Sequence, residues 1–215
     1  MKYIIGNWKA NKNSADVIHW SDVFLKEYIF QENTTFIVCP PSPFLRYMQQ
    51  AFKELKNVIV GAQTIASVEE GSYTGETTAK TLQGVAGFTI IGHSERRKHF
   101  HESDGDLASK VLLAKKYNIE PIYCVRDEKD PIPEGVTFVA YEPVAAIGTG
   151  QNEPPEQVLI MKKKMTLPKD CVFIYGGSVN ETNSASYLAT GEIDGFLIGK
   201  ASLDAHQFLS IGRNG

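Results

Sequence analysis

The chain has 215 residues, of which 42% are hydrophobic and 22% charged, and its formal net charge is −3. This balance is ordinary for a globular protein and excludes the strongly basic surfaces that bind nucleic acid or anionic membranes. No stretch approaches the ~20 apolar residues of a membrane span, and the first apolar run is too short for a signal peptide. The three cysteines, Cys39, Cys124 and Cys171, lie in or beside apolar runs, so we expect free thiols and a cytoplasmic location.

Short runs rich in β-branched and aromatic residues are typical of strands. Eight such runs follow one another: Tyr3–Ile5, Phe36–Cys39, Val58–Val60, Phe88–Ile91, Pro121–Val125, Thr137–Ala140, Val172–Tyr175 and Phe196–Ile198. Longer stretches with helical spacing lie between most of them, at 14–28, 43–56, 76–86, 105–117, 155–166, 180–190 and 201–209. The connection at 126–136 differs, because Pro131 and Pro133 leave little room for a helix there.

The alternation of strands and helices predicts the fold class. Such alternation forms parallel βαβ units, and strands that are almost wholly apolar suit a sheet buried on both faces. Eight units closing on themselves make a (β/α)8 barrel, here a single α/β domain over residues 1–215 with the fifth helix reduced or missing. An open doubly wound sheet is the alternative. That fold normally has a glycine-rich fingerprint after its first strand, whereas only Gly6 is present here.

Two ionisable residues stand just after strand-like runs. His93 follows Phe88–Ile91, and Glu142 follows Thr137–Ala140. An imidazole and a carboxylate displayed from neighbouring strand ends can share one proton-transfer reaction, so both are candidates for acid–base catalysis. A helix beginning behind His93 would favour the neutral imidazole, and desolvation would raise the basicity of Glu142.

A further group of residues predicts that the site binds an anion. Asn7 and Lys9 stand two apart on an extended segment, so they should point to the same side, where Lys9 supplies a positive charge. The small-residue loops 148–150, 176–178 and 199–200 follow strands six, seven and eight, and such loops let the backbone approach a phosphate closely. We predict no metal site, because His99 and His101 lack a third ligand nearby.

Taken together, these segments resemble the triosephosphate isomerase family. The resemblance covers almost the whole chain and is carried, in order, by Gly6-Asn7-Trp8-Lys9, Thr74-Gly75-Glu76, Gly92-His93-Ser94-Glu95-Arg96-Arg97, Tyr141-Glu142-Pro143-Val144, Gly148-Thr149-Gly150, Tyr175-Gly176-Gly177-Ser178-Val179 and Gly199-Lys200-Ala201-Ser202-Leu203. It implies a TIM barrel that interconverts dihydroxyacetone phosphate and D-glyceraldehyde 3-phosphate, a step of glycolysis and gluconeogenesis, without a cofactor.

The resemblance also implies a role for each candidate residue. Glu142 would transfer the proton, His93 would polarise the carbonyl, and Lys9 would stabilise the developing negative charge. Substrate-binding roles would fall to Asn7 and, for the phosphate, to Gly148, Ser178, Gly199 and Lys200. Residues 143–150 would close over the substrate as a lid and exclude water.

The implied partners are the triose phosphate and a second copy of the chain. In the family, the loop that matches Gln63–Glu76 protrudes into another subunit, where the threonine that matches Thr74 supports the other active site. We therefore expect at least a homodimer, or a tetramer as in some shortened relatives. Neither nucleic acid nor a membrane is an expected partner.

The chain departs from the family pattern in several places. Ala145 stands where the lid commonly carries tryptophan, and Asp127 replaces the glutamate that partners it, which implies an open lid that is less strongly held. Lys200 replaces a glycine and would be unfavourable if that position needs a positive φ. The missing fifth helix would leave an uncovered barrel flank as a subunit contact. A different phosphate-binding barrel enzyme and a catalytically weak binding protein are the alternatives.

Overall fold

The computed structural model describes residues 1–143 and 152–214. Three features predicted above therefore lie outside the described residues: the candidate ligand Gly148, the substituted position Ala145, and the lid segment from residue 144 onward.

The described residues contain eight parallel strands that close into a barrel. The strands are β1 (Lys2–Asn7), β2 (Thr34–Cys39), β3 (Val58–Ala62), β4 (Phe88–Ile91), β5 (Glu120–Val125), β6 (Phe138–Tyr141), β7 (Val172–Tyr175) and β8 (Gly195–Ile198). All eight predicted strands are confirmed. Pairing of β1 with β8 closes the barrel and excludes the open doubly wound sheet.

Helices of unequal length surround the strands. They are α1 (Ser14–Glu27), α2 (Leu45–Phe52), α3 (Ala79–Leu82), α4 (Ser94–His99), α5 (Asp104–Lys116), α6 (Pro155–Lys164), α7 (Ser184–Leu188) and α8 (Ala205–Arg213). The predictions at 14–28, 105–117 and 155–166 are confirmed to within two residues, whereas those at 76–86 and 180–190 are too long. The stretches at 43–56 and 201–209 each divide into a 3-10 turn and an α-helix. The turns span Ser42–Phe44 and Lys200–Leu203.

The apolar character of the strands is explained by two separate cores. Alternate strand residues fill the barrel interior, as the twofold periodicity of a strand requires: Ile5, Ile37, Cys39, Phe88, Ile90, Ile122, Cys124, Phe138, Ala140, Ile174 and Leu197. The strand residues between them, such as Ile4 and Phe36, point outward and pack under the helices. Because both faces are buried, each strand reads as a nearly continuous apolar run.

The connection between β5 and β6 contains no helix, which confirms that the fifth helix is missing. The flank beneath it is nevertheless covered. The hydroxyl of Tyr123 in β5 donates a hydrogen bond to the carbonyl of Pro131 at 3.0 Å, and Ile132 packs against the outer core. Val136 and Val139 are buried as well. The expectation of an uncovered flank is therefore wrong, because the proline-containing loop takes the place of the helix.

One glycine in α8 tests the tightness of the outer core. A Cβ at Gly212 would lie 2.2 Å from Cζ of Phe36, a ring that is itself packed against Phe24 and Phe208. Gly212→Ala should therefore lower the free energy of unfolding by about 1–3 kcal/mol, as overpacking does. The matched control is Gly105→Ala in α5, where the new Cβ meets only Ser103 Oγ at 3.7 Å. That variant should be neutral or up to about 1 kcal/mol more stable. Equal urea midpoints for the two variants would contradict this account.

Candidate active site

The carboxyl ends of the strands surround a cavity of about 780 Å³. All of the predicted site residues that the structure describes line it: Asn7, Lys9, His93, Glu142, Ser178, Gly199 and Lys200. Their positions follow from the barrel, because parallel strands bring all their carboxyl ends to one rim. His93 and Glu142 do not come from neighbouring strands, however. They follow β4 and β6, and β5 lies between those strands.

The centre of the site is a buried pair formed by His93 and Glu142. Nε2 of His93 lies 2.9 Å from Oε1 of Glu142. The other carboxylate oxygen, Oε2, accepts a hydrogen bond from the backbone N–H of Ser94 at 2.9 Å. His93 is 5% exposed and Glu142 is 1% exposed, so each compensates for the burial of the other.

The orientation of the imidazole is set by the start of α4. Nδ1 of His93 accepts a hydrogen bond from the backbone N–H of Glu95 at 3.2 Å, so His93 caps the helix that begins at Ser94. From these hydrogen-bond partners we assign the proton of the neutral ring to Nε2. The ring therefore directs a donor at the carboxylate of Glu142.

The pair changes the ionisation of both residues. Burial lowers the pKa of His93, but the charge and hydrogen bond of Glu142 outweigh it and raise the pKa above its ordinary value. Burial raises the pKa of Glu142, but His93, the N–H of Ser94 and the charge of Lys9 together lower it. Both shifts run opposite to the directions expected from the helix end and from desolvation alone, because the interactions within the pair outweigh those two effects.

Lys9 occupies a strained backbone position beside the pair. Its φ is 51°, a left-handed conformation that is uncommon for residues other than glycine. Three contacts hold it. Oδ1 of Asn7 accepts from the Lys9 N–H at 3.1 Å, Nε2 of Gln63 donates to the Lys9 carbonyl at 2.9 Å, and Nζ lies 2.5 Å from Oε1 of Glu95. The extended geometry predicted for Asn7 and Lys9 is wrong, although both do line the cavity.

Two residues that touch Lys9 were not among the sequence candidates. Gln63 follows the end of β3 and also donates to the carbonyl of Cys39 at 3.0 Å. Gln63 follows a strand end, as His93 does, but its neutral amide is not ionisable and so did not suggest acid–base catalysis. Glu95 lies within the family motif, and its contact with Lys9 crosses from α4 to the end of β1. Only the fold reveals that contact.

Steric contacts explain why glycine stands at two positions of the loop after β7. A Cβ at Gly176 would lie 2.9 Å from Cγ of Glu142, and one at Gly177 would lie 2.2 Å from the hydroxyl of Tyr175. Lys200 opens the 3-10 turn and is not among the residues with positive φ, so lysine is not strained there. The loops thus leave room for Glu142 and place Lys200 at the cavity wall.

Within residues 1–143 and 152–214, no group of three or more His, Cys, Asp or Glu residues is placed to hold a metal ion. None of the helices in this part of the chain has the length and apolar character needed to cross a bilayer. The three cysteines are free thiols, with Cys39 and Cys124 buried, and burial raises the pKa of both.

The fold and the site together define a class of protein. A (β/α)8 barrel with a buried histidine–glutamate pair, a lysine and small-residue loops at its carboxyl rim is a TIM-barrel enzyme for acid–base chemistry on an anionic substrate. The family model described as triosephosphate isomerase matches residues 2–214, and the chain belongs to that family.

Curated relatives agree with this assignment over nearly their whole length. A protein named triosephosphate isomerase from Mesomycoplasma hyopneumoniae strain 7448 is 35% identical, with 96% of each chain covered. Proteins with the same name from Nitrosococcus oceani and Aquifex aeolicus are each 33% identical. The first alignment covers 97% of this chain and 96% of the relative, and the second covers 98% of each.

The charge coupling within the pair can be measured directly. Glu142→Gln removes the carboxylate charge and keeps the side-chain size. Burial then acts on His93 without that charge, so the imidazole pKa should fall. Nitrogen chemical shifts of the ring, recorded against pH, report this pKa, and the resonances of exposed His101 serve as an internal control. A His93 titration identical to that of the unchanged chain would show that the pair does not exist in solution.

Proposed function

We propose that this chain interconverts dihydroxyacetone phosphate and D-glyceraldehyde 3-phosphate at the cavity described above, in glycolysis and gluconeogenesis, without a cofactor. The observation that carries the proposal is the 2.9 Å contact between His93 Nε2 and Glu142 Oε1 at the carboxyl rim of the barrel. One base and one proton donor side by side are what a proton transfer between adjacent carbons requires. Family membership supports the same reaction.

The phosphate is assigned to the small-residue side of the cavity. Ser178, Gly199 and Lys200 line it together, and backbone N–H groups in such loops bind anions without steric hindrance. Gly148 is proposed as a further phosphate contact from the family motif. Asn7 and Lys9 lie at the wall that joins this region to the histidine–glutamate pair. The triose carbons would then lie between the phosphate loops and Glu142.

Substrate binding must rearrange the pair before the base can act. Glu142 has both carboxylate oxygens occupied, one by His93 and one by the Ser94 N–H. When the Glu142 carboxylate moves away from those two donors, it loses interactions that lower its pKa. It therefore becomes a stronger base as it turns to the substrate. His93 is then free to direct Nε2–H at the substrate carbonyl.

The reaction follows from these positions. Glu142 takes the proton from the carbon beside the carbonyl, and the electron pair of that C–H bond forms the enediolate. His93 hydrogen-bonds the carbonyl oxygen and moves a proton between the two oxygens, while Lys9 and Asn7 stabilise the negative charge. Glu142 returns its proton to the neighbouring carbon, which completes the isomerisation without net gain or loss of atoms or electrons.

Location and domain organisation belong to the same proposal. The free cysteines are consistent with a reducing cytoplasm. Strands from β1 near the start of the chain to β8 near its end close one barrel, which supports treating residues 1–215 as a single domain.

Turnover and the role of Glu142 can be tested in one assay. Glyceraldehyde 3-phosphate is supplied, and dihydroxyacetone phosphate is detected through a coupled NADH-dependent reduction. Glu142→Asp should lower kcat by about 10²–10⁴, because the base is withdrawn from the reacting carbon. KM should stay within a few fold, since the phosphate contacts are unchanged. If the unchanged chain does not accelerate the reaction, a catalytically weak binding protein or another barrel activity becomes the better account.

We further propose that the chain forms at least a homodimer. The loop Gln63–Glu76 is tied down within its own chain, since Gln63 donates to the Lys9 carbonyl, Thr64 accepts from Lys110 at 3.0 Å, and Glu70 pairs with Lys80 at 2.6 Å. Its outer part stays exposed, with Tyr73 51% accessible. A rigid loop with an exposed aromatic tip is suited to insertion into a second copy.

The oligomeric state can be measured by sedimentation at micromolar concentration. The unchanged chain should sediment at no less than twice its 23.8 kDa mass. Thr74→Arg, which places a charge at the exposed loop, should favour the monomer and lower activity, whereas Glu54→Arg in the exposed turn that follows α2 should do neither. A fully active monomer would contradict the proposal.

A further inference from the structure

Three buried tyrosines lie beside the catalytic cavity and have no part in the mechanism above. Tyr141 ends β6, Tyr175 ends β7, and Tyr187 belongs to α7, and each is at most 2% exposed. The rings of Tyr175 and Tyr187 are stacked with centroids 4.8 Å apart, and Tyr141 and Tyr175 are 6.4 Å apart. Buried tyrosine hydroxyls need hydrogen-bond partners, so the identity of those partners is informative.

All three hydroxyls converge on Glu153. The Tyr141 hydroxyl donates to the Glu153 carboxylate, with distances of 3.1 Å to Oε2 and 3.3 Å to Oε1. The backbone N–H of Glu153 donates to the Tyr175 hydroxyl at 3.0 Å, and the Tyr187 hydroxyl donates to the Glu153 carbonyl at 2.6 Å. Each polar group of Glu153 is therefore held by a different tyrosine.

Two tyrosines of this cluster are direct chain neighbours of residues at the proposed base, Glu142 itself and Gly176. Tyr141 directly precedes Glu142 in the chain, so the position of its ring constrains the backbone that carries the carboxylate. Tyr175 directly precedes Gly176, where a Cβ would lie only 2.9 Å from Cγ of Glu142. Burial and the charge of Glu153 raise the pKa of Tyr141, so its hydroxyl remains a proton donor to Glu153 over the working pH range.

We propose that Glu153 is a positioning residue. Its carboxylate accepts the hydrogen bond from Tyr141 and thereby holds the backbone that carries Glu142 in place. The hydrogen bond joins the end of β6 to Glu153, which lies two residues before α6 begins at Pro155, and so links the chain on both sides of residues 144–151. A base that must turn from His93 to the substrate needs a backbone that stays in place while the side chain moves. This inference rests on the proposed function, because its effect is on the rate of the isomerisation.

Three substitutions at acidic positions test the role of the carboxylate. Glu153→Ala should lower kcat about tenfold while KM stays within about twofold, since misplacing a base affects the chemical step and leaves phosphate binding intact. Glu153→Gln should recover most of the lost kcat, because its carbonyl oxygen can still accept from Tyr141. Glu156→Ala, in the exposed first turn of α6, is the matched control and should leave kcat unchanged. Equal kcat values for the Glu153→Ala and Glu156→Ala variants would overturn the proposal.

A double-mutant cycle tests whether Glu153 acts through Tyr141. Tyr141→Phe removes the hydroxyl and should lower kcat by about as much as Glu153→Ala, and the double variant should be no slower than either. Effects on kcat that multiply would overturn the proposed route. If Glu153→Ala fails to fold, Glu153→Met takes its place in the cycle, because it keeps the length of the side chain but lacks the acceptor oxygens, and it must show the same non-additive effect with Tyr141→Phe.

Failure of this inference is distinguishable from failure of the proposed function. An unchanged chain that does not isomerise triose phosphates would overturn the function itself. An active chain whose kcat is insensitive to Glu153→Ala would leave the function intact and overturn only the positioning role. Within the cycle, a KM that rises while kcat stays constant would also overturn it, because such a change would place Glu153 in substrate binding.

Discussion

Closure of the barrel between β1 and β8 is the constraint on which the rest of the structure depends. It brings the carboxyl ends of all eight strands to one rim, and residues far apart in the chain thereby surround a single cavity. The strands can be almost wholly apolar only because closure buries them on both faces. A barrel with a packed interior also supplies a rigid frame, and a rigid frame is what allows a pair of ionisable groups to be buried at its rim.

The histidine–glutamate pair is a stable arrangement that, under the proposed mechanism, must separate before Glu142 can act as a base. A buried carboxylate alone would cost several kcal/mol, and His93 together with the Ser94 N–H offsets that cost. The same contacts lower the pKa of Glu142 and so weaken it as a base. Under the proposed mechanism, substrate must separate His93 from Glu142. The pKa of Glu142 then rises, and the carboxylate becomes a stronger base. Gly176 leaves the space that Glu142 occupies in the pair, because a side chain there would meet the carboxylate's Cγ.

The departures from the family pattern have physical explanations in part. The proline-containing loop after β5 covers the barrel flank that a fifth helix would otherwise cover, and the pair of Arg126 with Asp130 at 2.6 Å stabilises that loop. Asp127 accepts a hydrogen bond from the backbone of Lys129 and so belongs to the same turn. Lys200 adopts a backbone conformation open to any residue, and its substitution for glycine adds a cation at the cavity wall. Hydrogen bonds with three tyrosines hold Glu153, and under the proposal above they also hold the chain beside Glu142.

Much of this protein could be predicted from its sequence, because the signals concerned are local. Short β-branched runs indicated every strand, two prolines indicated the missing helix, and His93 and Glu142 were identifiable from their places after strands. The tertiary structure alone decided the rest. It set the left-handed turn at Lys9, the contact of Gln63 with that turn, the opposite pKa shifts of the histidine–glutamate pair, and the tyrosine contacts of Glu153. Each of these depends on distances between residues that are remote in the chain, and electrostatic and steric interactions act through space, whereas sequence patterns report only near neighbours.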